Sequence, residues 1–141
     1  MPYWRLFYHL VWATRERQPL ISTEVESLIA HSLRATCNEL KVIPHAIGMM
    51  PDHVHVAASI PPSLAVSTLV GRLKGAASHA VNATGILGQT SFAWQSEYGA
   101  LSFGEKALSD VIAYVTHQQE RHAAKRLWQP MEQVTEDAQP A

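Results

Sequence analysis

Two stretches of this 141-residue chain hold side chains whose types and spacing could do chemistry together. The first is Met50-Pro51-Asp52-His53-Val54-His55-Val56. Side chains of a strand alternate between faces, so a strand here puts His53 and His55 on one face and Val54 and Val56 on the other. Two imidazoles about 7 Å apart along a strand can converge on a metal ion or a phosphate. Spacing alone leaves a structural role open. The second stretch runs from Tyr114 to Lys125. At about 100° per residue, Tyr114 and Gln118 lie one helical turn apart, and Arg121 and Lys125 fall close to the same face. The apolar stripe of that helix, Leu108, Val111, Ile112 and Val115, points elsewhere, so Tyr114 is expected to face something polar. An ordinary solvated helix face is the alternative. His117 and His122 fall at other angles, where surface or packing roles are expected.

Taken together, two histidines and a glutamine carbonyl can hold a divalent ion with positions left for water and phosphate oxygens. Imidazole with oxygen ligands suits Mn²⁺, whereas Mg²⁺ prefers oxygen throughout. Such an ion acts as a Lewis acid on a phosphodiester. Tyr114, with an ordinary pKa near 10, could then attack and form a phosphotyrosine ester. One phosphodiester replaces another, so a cut strand can be rejoined without ATP.

The elements that must position these residues follow from periodicity. Residues 3–14 are aromatic and aliphatic and predict a buried strand. Thr23-Glu24-Val25-Glu26 reads as a capping box, opening a helix to about Leu40. Val42 to Met49 and His53 to Ile60 predict two strands joined as a hairpin. Ser63 is expected to cap a second helix with its stripe at Val66, Leu69, Val70, Leu73, Ala77, Ala80 and Val81. Its other side carries Gly71 and Gly75, smooth enough for another backbone to approach, from a partner subunit or a nucleic-acid strand, unless the glycines only serve packing within the chain. Arg72 and Lys74 lie off the stripe, as surface charges or phosphate contacts. Phe92 to Phe103 predicts a fourth strand with an irregular start, and Glu105 to about Leu127 a third helix. Strand, helix, strand, strand, helix, strand is the βαββαβ order of ferredoxin-like and RRM-like folds. The expectation is an α+β protein, an antiparallel sheet with helices on one face and an extra C-terminal helix carrying the tyrosine. Residues 1–128 are expected as one domain and 129–141 as a flexible acidic tail.

Composition sets bounds. No apolar run approaches the roughly 20 residues of a membrane span, and Met1-Pro2-Tyr3-Trp4-Arg5 lacks a signal-peptide layout, which suggests a cytoplasmic protein. Cys37 is the single cysteine, excluding an intramolecular disulfide. The formal net charge is −1. Without the tail's Glu132, Glu136 and Asp137, nine acids of the twelve remain against eleven bases. DNA binding would therefore rest on local patches and shape.

Pro51-Asp52-His53-Val54-His55 resembles the histidine–hydrophobic–histidine (HUH) motif, and Tyr114-Val115-Thr116-His117-Gln118 the Tyr-x-x-x-Gln motif that follows it in the single-tyrosine transposases of the insertion-sequence 200/605 group. Tyr8-His9-Leu10-Val11-Trp12, Leu69-Val70-Gly71-Arg72-Leu73-Lys74-Gly75 and Trp94-Gln95-Ser96-Glu97-Tyr98-Gly99 are similar to that group as well, and REP-associated tyrosine transposases are close relatives. The resemblance covers about residues 3–125. It implies a metal site at His53, His55 and Gln118 holding Mg²⁺ or Mn²⁺, and Tyr114 as nucleophile. It also implies binding of single-stranded DNA hairpins at element ends, cleavage through a 5′-phosphotyrosine, and a homodimer in which the tyrosine of one subunit serves the histidines of the other. Arg72, Lys74, Arg121 and Lys125 are the candidate DNA contacts. Two other classes stand beside this one. A non-catalytic RRM-like module would stack bases on Trp94 and Tyr98, and a water-using phosphoesterase would not need Tyr114.

Overall fold

The computed structural model describes residues 2–124 and 127–135. The strands are β1 (Phe7–Ala13), β2 (Ile43–Met50), β3 (His53–Ser59) and β4 (Gly99–Phe103), and the long helices are α1 (Thr23–Glu39) and α2 (Val66–Thr84). After β4 come α3 (Leu108–Thr116), α4 (Gln118–Ala123) and the short α5 (Gln129–Glu132). The strands form one antiparallel sheet in the order β2-β3-β1-β4, as the βαββαβ order predicts.

β3 is central and all seven of its residues are buried. Its two faces meet different cores. Val54, Val56 and Ala58 join Leu10 and Trp12 of β1 against Ile29 and Leu33 of α1 and Leu69 and Leu73 of α2. The opposite face, with Ala46 and Ala57, packs on Val111, Tyr114 and Val115 of α3 and Met131 of α5. Thus α1 and α2 share one face, and the C-terminal helices cover the other, where His53 and His55 point.

The structure moves several expected boundaries. Ser22, not Thr23, caps α1: its side chain accepts from the Val25 N–H at 3.3 Å. α2 begins at Val66 rather than after Ser63. Of the expected fourth strand only Gly99–Phe103 forms a ladder, with Trp94 making a lone bridge to Thr14. The expected continuous third helix is broken at His117 (φ −104°, ψ 37°). The Tyr114 carbonyl there accepts the Gln118 side-chain amide at 2.8 Å, so a side chain enters the helical ladder at the break. Of the stretch read as a flexible acidic tail, residues 129–132 form α5 and Met131 is buried; residues 136–141 are not described.

Two glycines set how closely these layers approach. A Cβ on Gly48 of β2 would lie 1.9 Å from the Val115 carbonyl oxygen, so its absence lets α3 rest its backbone on the sheet. A Cβ on Gly99 would lie 2.0 Å from the Gln133 carbonyl oxygen, so the segment after α5 runs directly over β4. By contrast, Gly71 and Gly75 face open space, and packing within the described residues does not require them. No described helix is long and apolar enough to cross a membrane.

Candidate active site

His53 and His55 stand on β3, paired across β1 with Ala13 and Val11 and across β2 with Met50 and Gly48. Both are buried. Each ring is held from behind through Nδ1. Asp52 Oδ1 lies 2.6 Å from His53 Nδ1, and His9 Nε2 lies 2.9 Å from His55 Nδ1. Their Nε2 atoms point away from the sheet and have no aligned hydrogen-bond partner among the described residues.

The C-terminal helices close over these atoms. Tyr114 is 1 % exposed, and its ring meets the His55 ring edge-on, centroids 6.0 Å apart. This corrects the expectation that Tyr114 lies off the packing face: it is buried beside Val111 and Val115, because α3 sits deep on Gly48. Gln118 is also 1 % exposed. Its amide donates to the Tyr114 carbonyl, and its Oε1 lies 3.1 Å from His122 Nε2. Arg121 places its guanidinium 5.0 Å from the Tyr114 ring centre, a cation–π contact.

Three residues not expected at the site, Glu132, Trp128 and His122, complete it. Glu132 Oε1 lies 3.3 Å from His53 Nε2, 3.3 Å from His55 Nε2 and 3.5 Å from His122 Nε2. Its other oxygen accepts a short hydrogen bond from the Tyr114 hydroxyl. The Trp128 N–H donates to the same phenolic oxygen at 2.8 Å. His122 was expected in a surface or packing role; past the break at His117 its ring lies tilted against that of His53, centroids 5.1 Å apart. A chain of steps of four, Tyr114, Gln118, His122, was the signal available in the sequence. Nothing in the sequence pattern pointed to Glu132.

The electrostatics follow from these contacts. Burial would raise the Glu132 pKa, but His53, His55 and Tyr114 outweigh it and hold the carboxyl well below the usual carboxylate range. Burial and the Glu132 carboxylate push Tyr114 up to about 12, against the opposing Trp128 N–H. Burial lowers His55 and His122, with Glu132 acting against it in both. Burial, with some help from His55, takes His9 down to about 3.

The donor set fits a divalent ion. One atom each from His53, His55, His122 and Glu132 lie within 4.8 Å of one another. Ligands about 2.1 Å from a shared ion sit roughly 3.0–3.4 Å apart, and the Glu132 Oε1 to His53 and His55 Nε2 separations are 3.3 Å. The Nε2 atoms of His53 and His55, which have no aligned partner among the described residues, suit direct coordination of such an ion.

The candidate DNA contacts separate. Arg121 is at the site. Arg72 and Lys74 are on α2, across the sheet from it. Arg72 pairs with Glu39 at 2.7 Å, and Lys74 donates to the Gln95 and Glu97 carbonyls at 2.6 and 3.3 Å, so it anchors the approach to β4. Lys125 lies outside the described residues. Trp94 is buried, edge-on to Trp12 and Phe92, and its indole N–H donates to the Lys74 carbonyl. It offers no open face for a base.

A family model described as "Transposase IS200 like" matches residues 2–118, a span that includes His53, His55, Tyr114 and Gln118 but ends before His122 and Glu132. The chain is 38% identical over 77 residues to the ISDra2 transposase TnpA of Deinococcus radiodurans, covering 53% of this chain and 54% of that protein. It is 32% identical over 75 residues to the transposase for insertion sequence element IS200 of Salmonella typhimurium, covering 53% and 49%. The chain thus spans about half the length of the curated relatives it matches. Among solved structures, it is similar to a protein described as a candidate transposase from Deinococcus radiodurans R1, with a TM-score of 0.67, 27% identity, and coverage of 82% of this chain and 92% of that one. A REP-associated tyrosine transposase bound to a REP hairpin shares the fold, with a TM-score of 0.64, 15% identity, and coverage of 96% and 93%. With a family match over most of its length, the chain belongs to the IS200-like transposases, a family of DNA-processing enzymes.

Proposed function

We propose that this protein cleaves and rejoins single-stranded DNA by metal-assisted transesterification, with Tyr114 as the nucleophile and a 5′-phosphotyrosine as the intermediate. The observation that carries this reading is one carboxylate: Glu132 touches the histidine Nε2 atoms with one oxygen and the Tyr114 hydroxyl with the other. Metal donors and nucleophile therefore face a single small space.

His53, His55, His122 and Glu132 would hold Mg²⁺ or Mn²⁺, with the Gln118 carbonyl as a further oxygen donor at the rim. A bound ion supplies Lewis-acid polarisation of a phosphate oxygen. Asp52 and His9 keep the two sheet imidazoles aimed. Glu132 accepts the Tyr114 proton, and the Trp128 N–H steadies the phenolate that remains. The Tyr114 oxygen then bonds to phosphorus, the bond to the 3′ oxygen breaks, and that oxygen takes up a proton. Attack by a 3′ hydroxyl on the phosphotyrosine reverses these steps and restores the strand.

Hairpin DNA, the ligand of the REP-associated neighbour, is the substrate class we carry over. Arg121 lies beside the site, where it can meet the DNA backbone, whereas Arg72 and Lys74 could do so only from the far side of the sheet; Lys125 is carried over as a contact from the sequence alone. We also propose a homodimer. In a single chain Tyr114 faces the histidines of its own sheet, so an exchange of helices between subunits would reproduce the same set of contacts in trans.

The test is a hairpin-bearing single strand incubated with Mn²⁺ and resolved on a denaturing gel. Wild type should yield a covalent protein–DNA adduct. Tyr114→Phe, and the folded His53→Ala and His55→Ala variants, should yield none. An adduct in Tyr114→Phe, or full activity in chelator, overturns the reading.

A further inference from the structure

His9 backs His55, yet its placement is unusual. It lies fully buried on β1, on the face that carries His55. The register pairs His9 with Ala57 and Val11 with His55, so the two histidines are diagonal cross-strand neighbours. Their rings approach with Nε2 of His9 2.9 Å from Nδ1 of His55, centroids 5.1 Å apart. His9 Nδ1 has no hydrogen-bond partner among the described residues. His53 is backed differently, by the Asp52 carboxylate at 2.6 Å. An ionised carboxylate only accepts, so Asp52 keeps the His53 proton on Nδ1 and its lone pair on Nε2. An imidazole can accept or donate, and the contact between His9 and His55 can run either way.

We propose that His9 is a positioning residue that reverses its hydrogen bond with His55 when the site takes up a metal ion. This rests on the metal reading above. Without an ion, His9 Nε2–H donates to His55 Nδ1. His55 then carries its proton on Nε2, whose nitrogen lies 3.3 Å from the Glu132 carboxylate. With an ion, His55 must present the Nε2 lone pair. Its proton then sits on Nδ1 and donates to His9 Nε2, and His9 is protonated on Nδ1. Each ring keeps one proton. The shared proton crosses from His9 to His55, His55 Nε2 releases one to solvent, and His9 Nδ1 takes one up. A carboxylate at position 9 would favour only the loaded form, whereas His9 serves both.

The experiment has two arms. In the first, the imidazole nitrogens of ¹⁵N-histidine-labelled wild type are read by long-range ¹H–¹⁵N correlation, without metal and with Zn²⁺ as a diamagnetic probe. His55 should pass from the Nε2–H to the Nδ1–H tautomer and His9 likewise; an unchanged His55 tautomer overturns the proposal. In the second arm, Mn²⁺ affinity is measured by calorimetry on His9→Leu and His9→Gln. Glutamine can donate or accept at the same place, and leucine can do neither. His9→Leu should bind about 10- to 100-fold more weakly, the usual cost of losing a partner behind a ligand, and His9→Gln within about 3-fold of wild type. Unchanged affinity in His9→Leu, or equal losses in both variants, reduces His9 to packing and overturns the proposal. If His9→Leu does not fold, the spectra of wild type still decide. If wild type binds no Mn²⁺, the metal reading itself falls and takes this proposal with it; wild-type binding with an indifferent His9→Leu removes only the role of His9.

Discussion

The site has a sheet half and a helical half, and they are built on different principles. His53 and His55 stand on the central strand, flanked on both sides by paired strands and buried on both faces. Alternation places their rings, and each ring is backed by one polar partner. Tyr114, Gln118, His122 and Glu132 come from three short helices, the first two separated by a break at His117 and the third entered through an extended Trp128. These hold their place through two close backbone approaches, at Gly48 and Gly99, and through contacts with the sheet half itself. The sheet half is preorganised by secondary structure, and the helical half by docking. Perturbing the first should change chemistry at constant geometry, whereas perturbing the second should change geometry at constant chemistry.

The largest effect is expected from the sheet half. The double variant His53→Ala,His55→Ala removes two metal donors and should lower adduct formation by about 10³-fold or more, taking several kcal/mol as the contribution of a Lewis acid. Far-ultraviolet circular dichroism should remain that of an α+β fold. If instead the double variant retained a tenth or more of wild-type adduct yield at saturating Mn²⁺, the sheet half would not be the metal anchor.

Next is the docking of the helical half. Gly48→Ala adds one methyl group that would lie 1.9 Å from the Val115 carbonyl, and backbone there must shift. Overpacking of this kind typically costs about 1–3 kcal/mol, to be measured by urea denaturation. A displacement of the nucleophile by about 1 Å can cost on the order of 10²-fold in rate, although no chemical group has been removed. Gly99→Ala, 2.0 Å from the Gln133 carbonyl, should dislodge only the segment carrying Glu132. The rate loss should be smaller than for Gly48→Ala. The reverse ranking would mean that the segment after α4 matters more than the seating of α3.

The same division decides what could be read from the sequence. The fold and the histidine pair follow from local rules, since period-two alternation and turn residues survive folding unchanged. The orientation of Tyr114 did not follow, because an apolar stripe assigned by helical angle ignores how deeply a glycine lets the helix sink. The place of His122 is not legible because helical angles assume one continuous helix, and the break at His117 has no glycine or proline to announce it. Glu132 was invisible for a further reason. Its role comes from a return of the chain over β4, and no local pattern in Gln129–Glu132 encodes where a segment lands. His9 was legible in part, in the Tyr8-His9-Leu10-Val11-Trp12 stretch, but its partner became clear only from the strand register.

A milder probe is Glu132→Gln, which keeps the shape and removes the charge. Tyr114 stands at about 12, raised by burial and by the Glu132 carboxylate. Loss of the charge should bring it down toward the ordinary value of 10, with burial keeping it somewhat above. Ultraviolet titration of tyrosinate, with Tyr114→Phe subtracted to isolate this residue, measures the change. A Tyr114 value that stays put or rises would show that burial alone sets it.

The smallest effect expected is a difference in acid stability, and its pH window separates the histidines from Glu132. His9 has a folded pKa of about 3 against an ordinary 6.5. Between these values the unfolded chain binds more protons, so stability falls as pH drops from 6.5 toward 3. His55 is lowered as well and adds to the fall below 6.5. Glu132 is a depressed carboxyl. Its contribution is fully present above its ordinary value of 4.5 and is lost only as pH falls below that toward its folded value. The lowered histidines, His9 and His55 of the sheet half with His122 of the helical half, should therefore set the decline that begins near pH 6.5, and Glu132 should steepen it only below about pH 4.5. Urea midpoints from pH 7 to pH 4 should show this for the metal-free protein. Glu132→Gln should shift the curve above pH 4.5 roughly in parallel and flatten it below, while the folded His9→Gln should flatten it from pH 6.5 downward. A Glu132→Gln curve that steepens between pH 6.5 and 5 instead would mean that the carboxylate holds the histidine pKa values up, and that the two halves act as one coupled unit.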